Sequence, residues 1–202
     1  MRNLKIFVPA IIIIGVIVAY LFLDSKKEDY IQSIIDHRIQ VDSFMKNSDE
    51  SPFNSTDVNY TGLDYFKPDA SYKLEATYQP FGNRKIKMLT TSDGKEEAYE
   101  EYGTAYFIIE GVQNELVILK SVSSTTYDLF IPFADASSGE ATYGGGRYLN
   151  VTLGVNDLVE LDFNKAYNPY CAYAPAYSCP LPPSSNILSI PILAGEKNFV
   201  GM

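Results

Sequence analysis

The chain predicts a mainly β fold: an antiparallel barrel or sandwich of about 8–10 strands, preceded by a transmembrane helix and one amphipathic helix. Three observations carry this expectation. From Ser71 onward apolar and polar residues alternate with period two, and turn signals interrupt them at short intervals. No helical stretch that could cross between parallel strands lies among those segments. Ahead of them stand a charge-free apolar run, Ile6–Leu23, and a stretch with helical periodicity. The expected units are a transmembrane anchor over 1–23, an amphipathic helix and connector over 24–59, and a β domain over 60–202.

Ile6–Leu23 spans roughly 27 Å at about 1.5 Å per residue, against a hydrocarbon core of roughly 30 Å. Its exit, Ala19-Tyr20-Leu21-Phe22-Leu23, lacks the small-x-small pattern of a cleaved signal peptide. No cysteine follows closely for lipid attachment. The run reads as an uncleaved anchor, with the N-terminus cytoplasmic and the domain extracytoplasmic, periplasmic or at the cell surface. Arg2 and Lys5 before the span are nearly balanced by Lys26 and Lys27 after it.

Asp24–Lys46 reads as an amphipathic helix opened by a Ser25/Glu28 capping box. Tyr30, Ile34, His37, Val41 and Phe44 recur at spacings of four and three and form its apolar stripe. His37, the only histidine, falls on that stripe and reads as a packed residue. Asn47–Asn59 is a turn-rich connector. Strands are expected over 72–79, 84–91, 98–102, 105–110, 115–122, 126–132, 147–153, 158–162 and 187–192, with Gly82-Asn83 and Asp93-Gly94 turning the chain.

The 202 residues are 46% apolar and 20% charged, enough for one ordinary domain with its own core. Net charge is −9; beyond the apolar run, 14 Lys+Arg (16 less Arg2 and Lys5) face 25 Asp+Glu. Nucleic-acid binding needs a basic footprint, and this balance excludes one.

Candidate chemistry concentrates between residues 129 and 183. Gly144, Gly145 and Gly146 reach positive φ cheaply, so their N–H groups are suited to form an anion-binding nest beside the planar fork of Arg147. The competing reading is a hairpin in which Arg147 pairs with Asp135, Glu140 or Asp162. Those same carboxylates, Asp162 with Asp135 or Glu140, are candidates for an acid/base pair. Asp162 also stands where side chains commonly cap turns. Tyr143, Asn164, Tyr167 and Asn168 complete the expected ligand-binding set. Cys171 and Cys179, with seven residues between them, are expected to pair as a disulfide outside the cytoplasm. No metal site and no cofactor are expected, because two further zinc ligands are missing and neither a P-loop nor a dinucleotide fingerprint occurs.

Several strings resemble one family: Phe133-Ala134-Asp135, Thr142-Tyr143-Gly144-Gly145-Gly146-Arg147-Tyr148-Leu149, Leu161-Asp162-Phe163-Asn164 and Ala166-Tyr167-Asn168-Pro169. Cys171-Ala172-Tyr173, Cys179-Pro180-Leu181-Pro182-Pro183, Ala194-Gly195-Glu196 and Gly62-Leu63-Asp64-Tyr65-Phe66 belong with them. Together they resemble the bacterial family known as domain of unknown function 1684, from about Tyr30 to the C-terminus. The resemblance implies a bacterial, often envelope-associated setting and names no substrate. The functional expectation is a membrane-anchored extracytoplasmic β domain binding a small anionic or polar ligand at the 144–147 and 162–168 loops. The alternatives are a carboxylate-dependent hydrolase and a structural or protein-interaction module of the envelope.

Overall fold

The computed structural model describes residues 4–56, 58, 60–124, 126 and 128–200, without the side chains of residues 4–12 and Ser55. One helix, α1 (Leu4–Asn47), leads into seven strands: β1 (Lys73–Pro80), β2 (Ile86–Thr90), β3 (Glu96–Ile109), β4 (Val112–Ser121), β5 (Leu129–Phe133), β6 (Arg147–Val151) and β7 (Leu158–Asp162). All pair antiparallel in one curved sheet, a half-barrel ordered β6-β5-β4-β3-β1-β7, with β2 on β3.

Two helices were expected where one continuous helix of 44 residues stands. The Ser25 hydroxyl does not cap a new helix; it donates to the Phe22 carbonyl within the same one. No proline or glycine falls between Val16 and Asn47 to break the ladder. The expected stripe is the packed face: Ile34 is fully buried, and Tyr30, His37, Val41 and Phe44 are half-buried. Of the expected anchor, Arg2 and the side chains of 6–12 lie outside the described residues. Among the described residues no helix is long and apolar enough to cross a membrane.

Seven strands replace the expected eight to ten, for two physical reasons. Tyr102 and Ala105 do not bound separate strands: β3 runs through Gly103 with a bulge between Glu101 and Gly103. A Cβ at Gly103 would lie 2.4 Å from the Gln79 carbonyl oxygen, so only glycine lets β1 approach there. The bend splits the duties of β3, whose first half pairs with β2 and second half with β1. The expected strand at 187–192 is also absent. The buried Asn186 side chain bonds to Val117 N and O and to Pro132 O, standing in for a strand's backbone. Within 187–192 the chain makes one isolated parallel bridge, Ala134 with Ile187. Leu188, Ile192 and Ala194 then plug the half-barrel against Phe107, Ile131 and Leu161.

Candidate functional site

Gly146 adopts φ +84° at the entry to β6, and a Cβ there would meet the Phe133 carbonyl oxygen at 2.6 Å. That close approach sends Arg147 inward, not toward solvent. The Arg147 side chain is fully buried. Its guanidinium donates to the carbonyls of Ala194, Glu196 and Ile192 and to Asp135 Oδ2 at 2.9 Å. Only its Nε lacks a partner. The expected anion nest is therefore corrected: the irregular 192–196 segment has no strand to pair its carbonyls, and Arg147 satisfies them from below. Gly144 and Gly145 shape the turn that leads into it.

The three carboxylates do not form an acid/base pair. Asp135 serves Arg147, and its Oδ1 accepts from Ser137 N, Ser137 Oγ and Ile192 N. Asp162 caps a short 3-10 turn through Asn164 N and accepts from the Tyr30 hydroxyl at 2.7 Å. Glu140 is exposed. Among the described residues no hydrogen bond joins any two of them.

Asn164 and Asn168 are likewise committed side chains. Asn164 Oδ1 accepts from Asp69 N at 2.8 Å, while its Nδ2 donates to Tyr30 Oη and Asp69 O, tying α1 and the 69 turn to β7. Asn168 donates from N and Nδ2 to Glu196. The two cysteines are free thiols, contrary to the expected disulfide. They lie close together, with Cys171 N donating to Cys179 Sγ at 3.2 Å and Tyr143 Oη 3.9 Å from Cys171 Sγ. Hydrogen bonds of Cys179 N and O to Ser92 pin this loop instead.

The structure opens a different site, a cleft of about 500 Å3 between α1 and the 164–170 segment. The helix contributes His37, Gln40, Val41, Phe44 and Met45. Facing them are Asn164, Lys165, Ala166, Tyr167 and Tyr170, and the floor adds Tyr65, Asn150 and Glu196. Of the residues expected to bind ligand, only Asn164 and Tyr167 line this cleft.

Glu196 is buried and accepts from Tyr173 Oη at 2.6 Å and from Asn168. Burial pushes its carboxyl up to about 7, against the opposing pull of Tyr173, Asn168 and Arg147. Burial and the nearby Lys165 hold the His37 imidazole below its ordinary value, although Asp162 pulls the other way. Arg38, beside His37, stacks 4.4 Å from the Tyr65 ring centroid and donates to Phe66 O. Sequence reasoning missed His37, Gln40 and Phe44 on the helix, and Tyr65, Lys165, Tyr170 and Glu196 opposite. Tyr65 and Glu196 stood inside strings that carried the family resemblance, which was the available signal.

A family model described as a protein of unknown function (DUF1684) matches residues 58–197. The chain belongs to the DUF1684 family. The DUF1684 match starts later than the motifs suggested, so the helix side of the cleft lies outside it. A solution NMR structure of an uncharacterized protein from Haloarcula marismortui is 34% identical to this chain, with a TM-score of 0.66. That similarity covers 86% of this DUF1684 chain and 97% of the other. This relative is haloarchaeal, so the similarity reaches beyond the bacterial setting that the motifs implied. No curated protein matches the chain.

Proposed function

We propose that this DUF1684 protein binds a small polar ligand in the cleft between α1 and the 164–170 segment, as an extracytoplasmic domain carried on an anchoring helix. The observation behind this reading is the division of labour among polar groups. Asn164, Asn168, Asp162 and Arg147 are spent on the fold, whereas His37, Gln40 and the Tyr65 hydroxyl border the cleft with no side-chain hydrogen bond among the described residues. Polar groups converging in a concave, partly aromatic cleft are the usual makings of a small-molecule site. The hydrolase alternative loses its support, because its carboxylates sit in separate networks.

The anchoring part rests on the apolar run. Described side chains from Ile13 to Leu23 include nine large apolar groups exposed by 51–67%, all round the helix. A surface of that kind calls for cover, and lipid covers a helix from every side.

Thermal melts of the full chain in lipid nanodiscs, against organic acids, sugars, phosphates and nucleotides, test the binding reading. A ligand at a hundred times its dissociation constant adds about 2.7 kcal/mol, on the order of 5–10 °C here. A shift that disappears in Gln40→Ala and His37→Ala, both still folded, supports the cleft. Absence of any shift across the panel would refute it. Release of the protein from membranes by alkaline extraction would refute the anchor.

A further inference from the structure

The cleft is not uniform along its length, and its gradient points to a ligand class. From His37 to Met45 is eight residues of α1, about 12 Å at 1.5 Å per residue. At the His37 end stands Lys165. The acid beside Lys165 is Asp162. Its Oδ1 is occupied by Tyr30 and Asn164, and its Oδ2 lies 3.7 Å from Lys165 Nζ. At that separation the half-exposed Lys165 ammonium keeps donors for a second anion. At the other end Phe44, Met45 and Tyr170 belong to the apolar cluster that surrounds Phe53 and Tyr173. Lys165 acts on His37 while Tyr170 shares a cluster with Phe44 and Met45, so both walls change from polar to apolar in the same direction.

We propose that the cleft takes an amphipathic carboxylate, lying along α1 with its anionic head between His37 and Lys165 and its apolar body against Val41, Phe44, Met45 and Tyr170. This deepens the binding reading above and rests on it. The head would meet the Lys165 ammonium and the His37 imidazole, one donor for each carboxylate oxygen. The body would cover Val41, Phe44 and Tyr170, which the fold leaves only half-buried. Glu196 lies toward the other end, bonded to Tyr173 of the apolar cluster, and is not among the charges that act on His37.

Calorimetric titration of the full chain in lipid nanodiscs, with empty nanodiscs subtracted, tests this with octanoate, octanol and acetate. Octanoate matches the distance between the two ends; octanol keeps only the body and acetate only the head. The expected result is octanoate binding at least ten-fold tighter than either. Lys165→Gln should weaken octanoate about ten-fold and leave octanol unchanged, and His37→Gln should act the same way. Phe44→Ala should weaken octanoate and octanol together. Added salt should weaken octanoate alone. Octanol binding as tightly as octanoate, or octanoate indifferent to both Lys165→Gln and His37→Gln, would overturn the carboxylate assignment while leaving the cleft as a binding site. If neither these probes nor any compound of the wider panel binds, the site reading falls with it.

Discussion

Arg147 offers the sharpest test of what the 144–147 segment does. Replacing it with alanine removes four hydrogen bonds, one of them the ion pair with Asp135, from a fully buried position. Asp135 would keep its bonds to Ser137 and Ile192 but would become a buried carboxylate without its counter-charge. Removing one partner of a buried pair typically costs about 3–5 kcal/mol. The three stranded carbonyls add about 1 kcal/mol each, less whatever relaxation recovers. A loss of at least about 5 kcal/mol is comparable to the lower end of total domain stability, roughly 5–15 kcal/mol. Urea titration followed by circular dichroism should therefore find Arg147→Ala unfolded or melting roughly 10–20 °C lower. Arg147→Lys keeps the charge but cannot reach four acceptors in a fork, and should fall between. A folded Arg147→Ala within about 1 kcal/mol of wild type would refute the structural role and return the arginine to ligand binding.

Other perturbations follow from the same networks. The Glu196 carboxyl, raised from 4.5 to about 7, keeps a proton that the unfolded chain releases. Its contribution is complete below pH 4.5 and fades by about 3 kcal/mol as pH rises toward 7. The difference in urea midpoints between wild type and Glu196→Gln should show this slope; parallel pH curves would count against it. Tyr30→Phe breaks the hydroxyl link from α1 to Asp162 and Asn164. It should cost about 1–2 kcal/mol and speed hydrogen exchange in the neighbouring turns of α1; unchanged exchange would mean that the stripe holds the helix unaided. Both cysteines should take up alkylating reagent once the protein is denatured without reductant. Intact mass showing no adduct would restore the disulfide.

Periodicity made the β architecture legible. The period-two pattern in residues 73–90 marked β1 and β2, and the spacing of Tyr30, Ile34, His37, Val41 and Phe44 marked the packed face of α1. These are local signals, because side-chain direction repeats with the backbone. Gly103 misled for the same reason. As a residue it reads as a break, and only the approach of Gln79 reveals a bulge that keeps β3 whole. Asn186 likewise carries no mark in the sequence of its bonds to Val117 and Pro132, far away along the chain.

The sequence by itself determined which residue types crowd residues 129–183, and the structure decided which of them are free to do chemistry. Arg147, Asp135, Asp162, Asn164 and Asn168 all lie where polar residues were expected. Yet each is consumed by backbone groups that the irregular segments leave unpaired. A buried carbonyl or N–H must find a partner, and no property of Arg147 alone says that its partners are 45 to 49 residues further on. The cleft has the same origin. His37 and Lys165 are remote in sequence, and only the docking of α1 against the 164–170 segment makes them neighbours across a cavity.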